Sequence, residues 1–230
     1  LMLNFEFKFF IYMNMKYISE FIGSFFLVAT VVGSGIMGDN LSPNNTAVAL
    51  LGNTIATGAI LFVIIKMFGN ISGAHFNPAV SLLFYLRKEL ELTKLLNYIA
   101  FQFLGGLLAI FLIHYIFNLE LFQISTHAMR VENAPWSLFI SEIIATTGLI
   151  LTILFVRDND ESSIAVAVAL FITAGYWFTS STSFANPMVT TARIFTDTFT
   201  GINPISVPYY ISGQTVGTFL SFLIFKFYKK

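Results

Sequence analysis

The chain has 230 residues, of which 56% are hydrophobic and only 10% charged, with 12 Lys and Arg balanced by 12 Asp and Glu. A soluble domain carries about 25% charged residues, so this composition excludes an ordinary soluble fold and identifies an integral membrane protein, and the balanced charge offers nothing to nucleic acid. Zero cysteines exclude disulfides, thiolate metal sites and a cysteine nucleophile.

Residues 1–15 are rich in aromatics but carry charges and no small-residue cleavage site, unlike a signal peptide. They are expected to form an N-terminal extension, disordered, interfacial or mis-annotated, because Met13 and Met15 lie just before the first clear span. Residues 16–230 read as a single membrane domain. Crossing the hydrocarbon takes about 20 mostly apolar residues, and six segments qualify: 17–37, 46–67, 94–117, 136–156, 163–182 and 206–227. Two further apolar pieces, 77–86 and 187–195, are too short to span, and both follow Asn-Pro.

Cytoplasmic loops carry the excess of Lys and Arg. An even number of spans puts both termini on one side, and that side collects Lys8, Lys16, Lys66, Arg87, Lys88, Lys94, Arg157, Lys226, Lys229 and Lys230, against Arg130 and Arg193 on the other. Both termini are therefore expected in the cytoplasm. The halves 16–117 and 136–228 resemble each other: Ser19-Glu20 opens the first span and Ser141-Glu142 the fourth, and Tyr98-x3-Gln102-x2-Gly105 matches Tyr210-x3-Gln214-x2-Gly217. Three spans per half force the second half upside down, an inverted repeat of the kind that builds transport paths at the midplane.

Ser72-Gly73-Ala74-His75-Phe76-Asn77-Pro78-Ala79-Val80 and its echo Ser183-Phe184-Ala185-Asn186-Pro187-Met188-Val189 each end a polar break and lead into a short helix. Proline suits a first helical turn and asparagine caps it. Asn203-Pro204 reads as an ordinary helix start. Non-helical backbone at membrane depth is tolerated only when buried in protein or lining a wet cavity, so the two short segments are expected to fold inward from opposite faces and meet. Each helix N-terminus carries about half a positive charge. At an effective dielectric of about 20, such a charge 5 Å from a cation costs roughly 1.5 kcal/mol. The Asn77 and Asn186 amides can donate to a neutral oxygen.

These motifs, with the paired Glu20 and Glu142 and the repeated Gln-x2-Gly, resemble the aquaporin and glycerol-facilitator family over residues 16–228. The resemblance implies an all-α membrane fold of six transmembrane helices plus two re-entrant half-helices. It also implies a homotetramer in the lipid of a bacterial inner membrane, with no cofactor, no metal and no catalytic step. Asn77 and Asn186 become the central pore asparagines, Pro78, Ala79, Pro187 and Met188 the re-entrant motif, and Glu20 and Glu142 the loop supports.

Two departures from the family pattern stand out: Met188 follows the second Asn-Pro where alanine is usual, and Val189 occupies the position where members usually place an arginine. Counting along the matched segments puts the other constriction positions at Thr57, Ala174 (with Gly175 as a neighbouring register) and Ser183. That set is small, which predicts a ring wider than a water file. The run Asn-Pro-x-Val-Thr-x-Ala-Arg resembles a bacterial arsenic-associated subgroup. The expected solutes are arsenous acid, glycerol-like polyols and water, with a water-selective channel as the alternative and an ion-coupled transporter a further one. Arg193, one turn beyond Val189, either reaches back toward the constriction, or pairs with Asp197 at i+4 or snorkels to the outer surface. Glu20 and Glu142 read as acceptors for loop amides more readily than as a proton relay.

Overall fold

The computed structural model describes residues 2–127 and 135–229, with side chains from Met15 onward; Arg130 lies outside the described residues. Among the described residues eight α-helices follow one another: α1 (Met2–Leu41), α2 (Thr46–Ser72), α3 (Pro78–Leu86), α4 (Leu92–Ile116), α5 (Pro135–Asn159), α6 (Ile164–Phe178), α7 (Pro187–Ala192) and α8 (Val207–Tyr228).

Among the described residues, five segments are long and apolar enough by themselves to cross a membrane: Met15–Leu41, Thr46–Ser72, Leu92–Ile116, Pro135–Asn159 and Glu161–Phe178. The sixth expected span is α8. It is diluted by Gly213, Gln214, Gly217, Thr218 and Ser221, yet all five are buried against protein, so its polarity never meets lipid. The glycine pair Gly105 and Gly217 sets how close the long helices come. A Cβ at Gly105 would lie 2.2 Å from the Phe21 carbonyl of α1, and one at Gly217 would lie 2.9 Å from the Ile143 carbonyl of α5. The two halves therefore repeat one backbone-to-backbone crossing, α1 on α4 and α5 on α8, of the kind small residues permit in membranes.

Helix α1 runs from Met2 to Leu41, beyond the expected 17–37 at both ends, and two further boundaries differ for a visible local reason. Helix α2 runs on to Ser72 because Gly73, at φ +88°, supplies the left-handed cap that ends it. Helix α6 stops at Phe178, short of 182, because the Thr179 hydroxyl and N–H both turn back to the Gly175 carbonyl. The short elements start as their sequences dictate. Asn77 Oδ1 accepts Ala79 N–H at 2.9 Å, and Asn186 Oδ1 accepts Met188 N–H at 3.0 Å, each asparagine capping a helix with proline in its first turn. Helix α7 continues as a 3-10 turn, Arg193–Phe195. Asn203 caps only the short turn Pro204–Ser206 that leads into α8.

Candidate functional site

The approach to each half-helix is strained in the same way. Gly73, Ala74 and Phe76 have positive φ, and so do Thr182, Ser183 and Ala185, which stand at the same distances before their asparagine. Left-handed non-glycine residues each cost on the order of 1–3 kcal/mol and persist only where their surroundings hold them.

Glu20 and Glu142 do the holding. Glu20 accepts the Ser72 hydroxyl at 2.7 Å, His75 N–H at 3.0 Å, Phe76 N–H at 2.7 Å and the Gln102 amide at 2.7 Å. Glu142 accepts the Ser181 hydroxyl, Phe184 N–H at 3.1 Å, Ala185 N–H at 2.8 Å and the Gln214 amide at 2.6 Å. Both carboxylates are fully buried. The glutamines are tied onward to α3 and α7 through Ser81 and Thr190 at 3.1 and 2.8 Å. Every donor has its repeat counterpart.

The asparagines join the two halves. Asn77 Nδ2 donates to the Ala185 carbonyl at 2.7 Å, and Asn186 Nδ2 donates to the Phe76 carbonyl at 2.9 Å. A carboxamide nitrogen carries two N–H groups, and these contacts across the loops use one on each asparagine. Both residues line a cavity of about 520 Å³ that begins at Lys66, Arg157 and Ser162 and ends at Tyr176, Val189 and Arg193.

At the Arg193 end the wall holds polar and apolar groups together. Thr57 Oγ1 and Tyr176 OH are 3.1 Å apart, and the Ser183 hydroxyl is buried with no protein partner. Val189 and Phe184 add apolar lining there. Arg193 is 3% exposed, with its guanidinium carbon 3.7 Å above the Phe184 ring and its Nε donating to the Thr200 carbonyl. Asp197 instead accepts Thr126 N–H at 2.8 Å.

Thr57, Ser183 and Val189 thus come together. Ala174 does not: it is exposed on the outer side of α6 and absent from the cavity wall. A fixed count of residues back from Asn186 carries across a loop whose length varies, whereas helix phase does not. Ala165, Val168, Ile172 and Tyr176, three or four residues apart, form the α6 stripe on the cavity, and that periodicity was the signal that would have found Tyr176. The neighbouring register, Gly175, lies behind the ring, where a Cβ would meet Ser183 Oγ at 2.5 Å. The set is therefore not uniformly small. Met188 turns away from the cavity and fills the space at Gly106, where a Cβ would lie 2.4 Å from its sulfur.

At the other mouth, His75 stacks on Phe84 at 4.7 Å, Arg157 lies 5.0 Å over the same ring, and Arg157 grips Glu89 at 2.8 and 3.2 Å. Burial pushes the Glu89 carboxyl up, but hydrogen bonds from Arg157 and Arg87 outweigh it and hold the group below the usual carboxylate range. Among the described residues no group of three or more His, Asp or Glu converges where a metal ion could sit.

Two capped half-helices meeting inside a helical bundle, with both asparagines on the wall of one cavity, define a transmembrane channel. The sequence pattern of the family described as Major intrinsic protein matches residues 11–163. The aquaglyceroporin AqpS of Rhizobium meliloti (strain 1021) is 43% identical over 205 residues, 89% of this chain and 86% of that protein. Aquaporin NIP2-2 of Zea mays is 28% identical over 215 residues, 90% of this chain and 69% of its own. The X-ray structure of the aquaglyceroporin from Plasmodium falciparum superposes with a TM-score of 0.74 at 23% identity, covering 93% of this chain and 95% of that one. The chain belongs to the major intrinsic protein family: it is a multi-pass membrane channel that admits small neutral solutes and performs no catalysis.

Proposed function

We propose that this channel passes arsenous acid and glycerol-like polyols, together with water, and excludes ions and protons. The mixed lining at this end carries the reading: the hydroxyls of Thr57 and Tyr176 meet on the cavity wall that Val189 and Phe184 also line. A solute whose hydroxyls hydrogen-bond to the polar groups while its less polar face rests on the apolar ones loses its hydration shell without leaving a donor or acceptor unmet. The central asparagines, each with one N–H committed across the loops, offer the second to a solute oxygen. The 43% identity to a bacterial aquaglyceroporin supports the polyol class.

The test is permeability of the purified protein in liposomes to arsenous acid, glycerol, urea and water. Flux of glycerol and arsenous acid well above protein-free vesicles is expected, and water flux alone would refute the polyol reading. That outcome belongs to the second reading, a water-selective channel, which the bulk of Tyr176 and Phe184 at the outer end favours. The reading extends to a homotetramer in a bacterial inner membrane with both termini cytoplasmic. Crosslinking in the membrane and a C-terminal reporter test those two points.

A further inference from the structure

Residues 117–127, which follow α4, spend their polar groups inward and present apolar side chains outward. Gln123 Oε1 accepts Asp197 N–H, Thr126 N–H donates to the Asp197 carboxylate, and Ser125 N–H donates to the Ile194 carbonyl, each at 2.8 Å. These bonds fasten the loop to the turn after α7. Leu121, Phe122 and Ile124 are left 51%, 60% and 47% exposed. Three large apolar side chains exposed within four residues form a patch, and such patches mark protein or membrane contact.

Depth selects between the two. Helix α4 has 25 residues, which at 1.5 Å per residue span about 38 Å against a hydrocarbon layer of about 30 Å, so its last turn reaches the interface. The loop folds back along that turn: Leu119 N–H donates to the His114 carbonyl at 2.9 Å, and the His114 ring donates from Nδ1 to the Leu121 carbonyl at 3.2 Å. Leu121 is therefore level with His114, a residue of the span itself. The patch continues the exposed surface of Tyr115 and Ile116 on the same turn. Phe122 rests against Phe195, with ring centres 5.8 Å apart, and Trp136, where α5 begins, is exposed at the same end. Aromatic rings gathered at one level are the mark of a membrane–water interface. An interfacial level also suits Asn118 and Glu120, which are exposed beside the patch and which the hydrocarbon centre would not accept.

We infer that residues 119–124 are a membrane-inserted foot: Leu121, Phe122 and Ile124 sit in the boundary between headgroups and acyl chains of the leaflet on the Arg193 side. The opposite face of the loop braces the turn after α7 through Ile194 and Asp197. The partner is bilayer lipid, and the inference holds whichever solute the channel passes.

The experiment places a single tryptophan in the full-length protein in liposomes. The two native tryptophans are first removed as Trp136→Phe and Trp177→Phe. Phe122→Trp or Ile124→Trp then reports the patch, and Tyr115→Trp reports the last turn of α4. Emission is read in vesicles of phosphatidylcholine brominated on the acyl carbons nearest the headgroup, and separately with iodide in the water. Phe122→Trp and Ile124→Trp are expected to emit at blue-shifted wavelength, to lose emission to brominated lipid as strongly as Tyr115→Trp, and to resist iodide. Quenching by iodide and not by brominated lipid puts the patch in water and overturns the inference. Resistance to both quenchers puts it under another protein surface, such as a second copy of this chain, and overturns the inference as well. So does lipid quenching confined to Tyr115→Trp, since lipid contact would then stop at the end of α4. If Phe122→Trp does not fold, Ile124→Trp carries the same test with the same outcomes.

Discussion

Replacing Glu142 by glutamine changes one oxygen to an NH2 group and almost nothing in shape. Four donors converge on that carboxylate: the Ser181 hydroxyl and Phe184 N–H on Oε1, Ala185 N–H and the Gln214 amide on Oε2. Whichever way the new amide turns, its nitrogen faces two donors and accepts from neither. Each buried group left unsatisfied costs about 1–3 kcal/mol, so Glu142→Gln should lose roughly 2–6 kcal/mol. For a chain of this size that corresponds to a melting midpoint lower by roughly 5–20 °C. The assay is thermal unfolding of the purified protein in detergent, paired with glycerol flux in liposomes at several pH values. If Glu142 instead carried protons, the variant would melt like the unaltered protein while the pH dependence of transport disappeared. That pair of results would refute the anchoring argument. Glu20→Gln makes the same prediction for the first half, where His75 N–H, Phe76 N–H, Ser72 and Gln102 are the four donors.

Met188 and Gly106 fit one another, so Gly106→Ala should overpack by about 1–3 kcal/mol and Met188→Ala should leave a cavity costing about 2–5 kcal/mol. The double variant should fall short of the sum by about 1 kcal/mol or more, measured by melting in detergent; strict additivity would count against the contact. Tyr176→Phe removes the hydroxyl 3.1 Å from Thr57, and a hydrogen bond worth about 0.5–1.5 kcal/mol should lower the glycerol-to-water permeability ratio about 2- to 10-fold. The same ratio in Ala174→Phe should stay at the unaltered value, because that side chain faces outward. At the other mouth, the Glu89 carboxyl is held below its ordinary value by Arg157 and Arg87 against the effect of burial. Its stabilising contribution is therefore complete above the unfolded carboxyl pKa near 4.3 and is lost as pH falls through the lower folded value. The melting midpoint should hold between pH 8 and 5 and fall below about pH 4, and Glu89→Gln should flatten that fall.

The length and periodicity of apolar runs determine how many times the chain crosses a membrane, and all six spans are legible in the sequence alone. The sixth, α8, is the most diluted of them, because Gln214 and Thr218 lower its hydropathy while protein, not lipid, surrounds them. The two half-helices are equally legible, since Asn-Pro is a local instruction that acts through the asparagine's own cap and the proline's own φ. The inverted repeat follows from matched glutamates and glutamines at matched places. What required tertiary structure is everything that depends on direction across a gap. Counting back through the loop before Asn186 led to Ala174, and only the phase of α6 against α2 put Tyr176 opposite Thr57. No spacing in the chain reveals that Asn77 reaches the Ala185 carbonyl, that Met188 turns to Gly106, or that Arg193 lies on Phe184 in place of Asp197. Local chemistry specifies where a helix begins and how deep it is buried. The rotation of each helix, and so the side chains that face the pore, is decided when all eight pack together.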